Sequence, residues 1–424
     1  MESLKIKGIS VHERVPLAIQ NSVKYPDKMY CYMEGKYGYI KKTIYYEDKK
    51  KVKFSGAYVF LKREYDPETK KLLTLKETYD NFVRIADNLK ELTEGKINLY
   101  KTGEKWVKAA LKLFKDLEPD IKAEKIEKDE QEWIVNTMKG PLVWGEKYKG
   151  RAYKYDIVSR YPSIMISNHF AVPIKRGEFK TIPKKEFSEL KFFSFGIWRA
   201  KINGANRKLF KINNLNYYTH YDLTRAKELG YEIEIIEDGN PNFLFYNSYC
   251  RIPGNKIFKN YVNLLFELKK ENVEGAKQIL NALWGGLCKK NIITKDVNIS
   301  EGFNIEKYNG SVVSMDTDSS GEKCKVKYIK DDKYHEYNFA RLGPFLISLG
   351  RKAISTMIEP HIQYIKRIHT DGFICSKKLE WEKAKYRSVC NVKMGNYLGN
   401  MKYEGYCKEV IISNCNNIKG DFII

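Results

Sequence analysis

The segment Tyr153-Lys154-Tyr155-Asp156-Ile157-Val158-Ser159-Arg160-Tyr161-Pro162-Ser163-Ile164-Met165 constrains this chain more than any other stretch. Its pattern predicts a strand ending at Asp156, a turn through Ser159 to Pro162 and a helix entered at Ser163. A carboxylate at a strand end, followed by backbone amides in a tight turn, suits joint binding of Mg²⁺ and a triphosphate. Tyr161 would then lie beneath the sugar of a bound nucleotide. The same residues also suit an ordinary strand–turn–helix whose polar side chains merely cap the helix.

Charge points the same way without deciding it. Lys and Arg number 76 against 53 Asp and Glu, a formal charge of +23. Such an excess favours a polyanionic partner through release of condensed counterions. A basic protein from a Lys-rich proteome reads alike. The 31 Tyr supply faces able to stack on bases, although most rings belong in a core. None of the eight Cys forms a Cys-x-x-Cys pair, so they read as reduced thiols of a cytosol-type compartment. No signal core and no long apolar run is present, so no membrane span is expected.

Along the chain, a strand is expected at Ala57 to Leu61, a turn at Asp66-Pro67-Glu68 and a helix from Trp106 to Leu117. A polar loop is expected from Gly145 to Gly150. A helix at Asp222 to Leu229 and a strand at Tyr231 to Ile236 follow. Two basic helices, 256–270 and 273–287, meet at a turn near Asn272, and β-hairpins fill 290–338. A helix over 344–359 stops at Pro360, and 364–376 reads as strand–turn–strand.

On the second basic helix, Lys277, Asn281 and Trp284 share one face at i, i+4 and i+7. Val273, Ala276, Ile279, Leu280 and Leu283 take the other side. Lys277 offers a point charge to a phosphate, Asn281 a hydrogen bond and Trp284 a surface for a templating base. Gly285-Gly286 would end the helix and admit a duplex closely. An amphipathic surface helix with a solvated Lys has the same pattern.

Together these segments resemble family B DNA polymerases. Asp-Ile-Val-Ser-Arg-Tyr-Pro-Ser resembles their first palm motif, with Arg160 where an apolar residue is usual. The resemblance implies that Asp156 is a metal ligand, that Ser159 lies at the nucleotide and that Tyr161 is the steric gate rejecting a ribose 2′-OH. Lys277, Asn281 and Gly285 fall on the fingers motif, with Ala282 in place of Ser and Trp284 in place of Tyr. Lys269 or Lys270 on the preceding helix stands near a further phosphate-binding Lys.

The family needs a second Asp at a hairpin turn. The chain carries a literal Asp-Thr-Asp-Ser at Asp316-Thr317-Asp318-Ser319 and an imperfect copy at His369-Thr370-Asp371-Gly372-Phe373. We select Asp371. It follows a helix beginning near Phe345, its flanks Ile365, Ile368, Phe373 and Ile374 are apolar, and Asp371-Gly372 is a tight-turn dipeptide. The flanks of Asp316 alternate with Lys323, Lys325 and Lys327, which suits an exposed inserted hairpin. His369 and Thr370 would stand near the site, His369 removing one negative charge from it.

The resemblance implies an α+β fold, with a polymerase palm of antiparallel sheet and helices, a two-helix fingers element and a small N-terminal α/β region. The expected partition is 1–130 of unassigned role, 131–250 first palm part with an inserted α/β segment, 251–290 fingers, 291–340 inserted hairpins and 341–424 second palm part. Neither Asp66 with Glu68 nor Asp116 with Glu118 makes an exonuclease site. Leu398 to Glu404 resembles the segment after the third motif of protein-primed members. The Lys-x-Tyr that should follow is replaced by Asn416-Asn417-Ile418, and the thumb would begin where the chain stops. The implied activity is template-directed DNA synthesis from dNTPs on a primer 3′-OH with two Mg²⁺ ions, Mn²⁺ being an alternative. Partners would be primer–template DNA and a terminal protein primer or processivity factor, in a viral or mobile-element setting. The competing reading is a degenerate polymerase-like DNA-binding accessory protein without catalysis.

Overall fold

Alternation along Tyr148–Ile157 sets the architecture, because a strand shows its two faces to different surroundings. Tyr155 and Ile157 are buried on one face, packed with Ile354, Met357 and Ile358 of the helix Leu342–Ile358. Asp156 and Lys154 point to the opposite face, reached by neither of those side chains. Tyr155 stacks on Phe373 with ring centroids 5.4 Å apart, and its hydroxyl accepts a 3.0 Å hydrogen bond from the Leu379 amide. Burial pushes this phenol up to about 12.

The computed structural model describes residues 66, 69, 71–73, 75–103, 105–301, 310–317, 321–380 and 393–423. It also describes the strands Lys5–Ile6, Ile9–Ser10, Lys28–Met33, Lys42–Ile44 and Ala57–Lys62. Six antiparallel strands form the main sheet. Their order is Asn417–Lys419, Met401–Asn414, Tyr148–Ile157, Gly372–Cys375, Ile365–His369 and Val143–Gly145. This arrangement of antiparallel sheets and helices is the expected α+β class. A separate sheet joins Gly196–Asn203 to Tyr217–Thr219, Glu232–Ile235 and Phe243–Phe245, with Glu178–Lys180 at its edge. A three-stranded sheet holds Ile292–Asn298, Gly310–Thr317 and Lys323–Lys330.

The chain divides into two units, residues 1–119 with 263–286 and residues 120–262 with 287–424. In the first, the helix Ala276–Leu287 buries Ala276, Ile279, Leu280 and Leu283 as its amphipathic pattern requires. The turn before it holds Asn272 and Gly275 at positive φ, 58° and 85°. The helix does not stop at Gly285-Gly286 but runs through both to Leu287. A Cβ on Gly286 would meet Val107 Cγ1 at 2.9 Å and Leu111 Cγ at 3.3 Å. Gly286 is therefore buried under the helix Trp106–Leu117 and is not the surface for a duplex expected from the sequence. Gly285 is exposed and faces open space.

In the second unit, two ion pairs tie the helix Leu342–Ile358 to its neighbours. Arg341 and Glu130 are fully buried and bonded through Nε at 2.8 Å and Nη2 at 2.6 Å. Arg351 grips Asp222 in a bidentate pair and also donates to the Lys139 and Gly140 carbonyls at 3.0 Å. Two sequence expectations shift. Glu146 and Lys147 alone connect Val143–Gly145 to Tyr148–Ile157, so the expected polar loop is mostly strand. The helix after Asp156 begins at Arg160, not Ser163, because Ser159 takes the turn in left-handed conformation. The turn expected at Asp66-Pro67-Glu68 lies partly outside the described residues. Among the described residues no helix is long and apolar enough to cross a membrane.

Candidate active site

Antiparallel register brings the two selected carboxylates together. Gly372 pairs with Asp156 across adjacent strands, and the Ile157 amide donates to the Asp371 carbonyl at 3.2 Å. The hairpin that carries Asp371 closes on His369 and Gly372, leaving Thr370 and Asp371 as its two turn residues. Thr370 takes φ 61°, a left-handed conformation that a β-branched residue adopts only under strain. Ser159 in the opposing turn lies at φ 46°. Both acid-bearing turns thus contain a non-glycine residue in the left-handed region, and such strain clusters at functional sites.

Gly372 is needed for a reason other than the turn. A Cβ there would lie 2.9 Å from Asp156 Oδ1 and 2.9 Å from the Tyr155 carbonyl. The Asp156 carboxylate fills the space that a side chain at 372 would take. The dipeptide Asp371-Gly372 was read as a turn signal. The structure shifts that turn by one residue and makes Gly372 a close-approach glycine.

Asp156 has its carboxyl raised from the ordinary 3.8 to about 6. Burial is the main cause, followed by the negative charges of Asp371 and then Glu404. Glu404 was missed from the sequence. It occupies a bulge of the strand Met401–Asn414, where pairing with Tyr148–Ile157 skips from Tyr403 to Gly405. Its carboxylate pairs with Lys154 at 2.8 Å. Regular pairing from Lys402 with Asp156 and Tyr403 with Tyr155 already points residue 404 at Lys154; what the sequence does not show is that these two distant strands pair.

A pair of partly buried carboxylates suits a hard divalent cation. Mg²⁺ is commonly held by one or two carboxylates, with substrate phosphates and water completing its octahedron. Among the described residues no group of three or more His, Cys, Asp or Glu stands together as a self-sufficient metal site. Two carboxylates leave the remaining positions of an octahedral ion to other ligands. Because the folded carboxyl is raised above its unfolded value, its ionisation costs stability as pH climbs from about 4 to about 6. A bound cation offsets that cost. We predict that Mg²⁺ raises the Tm at pH 7.5, that the increment vanishes by pH 5, and that Asp156→Asn lacks it. A full increment in Asp156→Asn would place the cation elsewhere.

Tyr161 is half-buried beside this pair, and burial raises its phenol, with Arg160 and Arg351 opposing and Asp371 adding to the rise. Arg160 is 2% exposed. Its Nη2 donates to the Gly350 carbonyl, and its Nε and Nη1 meet no protein acceptor. A buried cation without a carboxylate is costly to desolvate, and an apolar replacement of similar volume removes that cost. Arg160→Leu is expected to raise the urea midpoint of unfolding; a lowered midpoint would show that the guanidinium stabilises the fold.

The other predicted residues fall in three places. His369 is exposed, and Thr370 is half-buried with its amide on the Leu142 carbonyl at 3.2 Å. Asp316 lies on the separate three-stranded sheet, exposed and paired with Lys327 at 2.8 Å. Asp318 lies outside the described residues. In the other unit, Lys277 and Asn281 are exposed and Trp284 is half-buried, on one helix. Lys269 stands 5.7 Å from the Phe266 ring centroid, while Lys270 pairs with Glu267 at 2.7 Å.

Comparison with known proteins adds a family. A family described as DNA polymerase type B, organellar and viral, matches residues 19–343, a span that includes Asp156 and Lys277 and ends before Asp371. No curated protein matches. Among solved structures the fold is similar to phi29 DNA polymerase complexed with single-stranded DNA, at TM-score 0.57 and 15% identity over 85% of this chain. The complex of phi29 DNA polymerase with primer-template DNA gives TM-score 0.56 at 14% identity over 85% of this chain. The complex that adds incoming nucleotide substrates gives 0.55 at 14% identity, again over 85%. The chain spans 63%, 62% and 63% of those polymerase chains.

Proposed function

The chain belongs to the organellar and viral type B DNA polymerases, and from that premise we propose that it extends a primer 3′-OH on a DNA template using dNTPs. The observation that carries this reading is the meeting of Asp156, near its strand's end, with Asp371 in the turn beside the adjacent strand, Gly372 being vacated for the Asp156 carboxylate. In this reading the two carboxylates hold two Mg²⁺ ions, or Mn²⁺ in their place. When bound, such ions would supply Lewis-acid activation for the attacking hydroxyl and neutralisation for the leaving pyrophosphate.

The chain's own residues do the positioning. Asp156 and Asp371 fix where the phosphates lie. Ser159 shapes the turn below the triphosphate, and Tyr161 excludes a 2′-OH from beneath the sugar. Lys277 and Asn281, aided by Lys269, neutralise and orient the triphosphate from the fingers helices. Trp284 and Gly285 lie against the template. Thr370 sets the hairpin, and His369 relieves charge crowding beside Asp371. The DNA partner, a terminal protein primer and a viral or mobile-element origin belong to the same reading.

Purified protein with primed template, dNTPs and Mg²⁺ is expected to add nucleotides complementary to the template, and EDTA to stop it. A parallel reaction with a protein primer tests the priming mode. DNA binding without metal dependence, and no incorporation with either primer, would instead favour a catalytically silent accessory protein. Lys277→Ala removes a charge-assisted contact, about 1.5–3 kcal/mol. It is expected to raise the KM for dNTP by about 10–100-fold; an unchanged KM would remove Lys277 from the site.

A further inference from the structure

Tyr161 packs against a helix that has no side chain where the ring lies. A Cβ built on Gly350, in the middle of Leu342–Ile358, would stand 3.2 Å from Tyr161 Cε1. Its next neighbours would be Arg160 Nε at 3.7 Å and Ile164 Cδ1 at 3.8 Å. The first distance is tighter than nine in ten real Cβ contacts, whereas the other two are ordinary. Gly350 lies within helix, where glycine is about 1 kcal/mol worse than alanine. Its backbone does not take the left-handed conformation that only glycine tolerates freely. Neither helix formation nor backbone geometry therefore asks for glycine here; only the ring does.

The helix at this point is also held in place. The Arg160 side chain donates to the carbonyl of Gly350 itself. The following residue, Arg351, is locked to Asp222 through hydrogen bonds of 2.9 to 3.2 Å. Thr219 Oγ1 donates to Ser348 Oγ at 2.7 Å, two residues earlier. With the backbone fastened on both sides of position 350, an added methyl displaces the half-buried Tyr161 ring more readily than it displaces the helix.

We infer that Gly350 is a specificity-determining residue: it sets the depth of the Tyr161 ring and hence the room left for a nucleotide's 2′ substituent. The inference rests on the polymerase reading above, and it concerns a residue that touches neither metal nor nucleotide. Glycine lets the ring settle towards the helix. Alanine pushes it outward by a few tenths of an ångström, towards the sugar. Since the methyl acts only through the ring, its effect disappears once the ring is gone.

The test is single-nucleotide incorporation of ATP and dATP by four proteins: wild type, Gly350→Ala, Tyr161→Ala and the double variant. A methyl-sized change in a pocket is worth about tenfold or more in discrimination. Gly350→Ala is expected to raise the dATP-over-ATP preference about tenfold, mostly through the KM for ATP, with kcat for dATP little changed. In the Tyr161→Ala background the same substitution is expected to leave the ratio unchanged, as a cycle for two contacting residues requires. An unshifted ratio in Gly350→Ala, or a shift that persists without the ring, overturns the inference while leaving the polymerase reading intact. Failure of wild type to incorporate dATP overturns the polymerase reading and the inference with it. Thermal unfolding of Gly350→Ala and of the double variant separates misfolding from a displaced ring, since only the ring makes the tight contact: a Gly350→Ala protein that unfolds as wild type yet keeps the wild-type ratio overturns the inference.

Discussion

Asp371→Asn is expected to slow primer extension by about 10³-fold or more while leaving the thermal unfolding temperature near that of wild type. The substitution keeps the shape of the turn residue and removes one of two negative charges. Lewis-acid stabilisation by a bound metal is worth several kcal/mol, and about 4 kcal/mol corresponds to that rate. Folding should hardly notice, because Asp371 sits at the turn of a hairpin whose apolar flanks Ile368, Phe373 and Ile374 stay buried. Removing its charge also lowers the repulsion that helps to raise the Asp156 carboxyl to about 6. Asp316→Asn and Asp318→Asn serve as the contrast and are expected to extend normally. Extension that survives Asp371→Asn but fails in Asp318→Asn would move the site to the other hairpin.

Glu130→Gln is expected to cost about 3–5 kcal/mol of stability and lower the Tm by about 10 °C. Arg341 and Glu130 are both fully buried, and losing one charge strands the other. The Arg341 guanidinium also donates to the Glu124 carbonyl at 2.6 Å and the Lys125 carbonyl at 3.0 Å, contacts that remain but do not neutralise it. The Tyr246 hydroxyl, which donates to Glu130 at 2.8 Å, keeps an oxygen to bind in the Gln variant. The loss therefore reports the charge together with one of the two Arg341 hydrogen bonds, since one accepting oxygen becomes an amide NH2. Replacing both partners, as in Glu130→Met with Arg341→Leu, is expected to cost less than Glu130→Gln alone, although Tyr246 then loses its acceptor. A Tm within 2 °C of wild type in Glu130→Gln would show that the pair contributes little.

Local pattern carried a large part of the site. A strand that ends in an acid and turns at once into a helix is legible because period two gives way to period 3.6 within a few residues. The apolar flanks of Asp371 and the charged flanks of Asp316 were equally legible, since burial writes itself into residue type. The face shared by Lys277, Asn281 and Trp284 followed from helical spacing alone. What failed was close approach. Gly286 and Gly372 read as helix stop and turn former, yet each has no side chain because a neighbour remote in sequence occupies its space: Val107 and Leu111 in one case, Asp156 in the other. Glu404 was invisible because its place beside Lys154 depends on the pairing of Met401–Asn414 with Tyr148–Ile157, strands far apart in the sequence. Arg341 and Arg351 carried no sign of their acidic partners, which lie 211 and 129 residues away.

Sequence by itself determined most of the elements and the family resemblance, because secondary structure and motif chemistry depend on residues within a few turns of one another. Tertiary structure alone decided that Gly372 pairs opposite Asp156, that Gly350 lies under the Tyr161 ring, and that Glu404 pairs with Lys154. Those facts depend on register and on which backbones touch. Register between strands more than 200 residues apart is set by the whole sheet and its packed helix, and no local window contains that information.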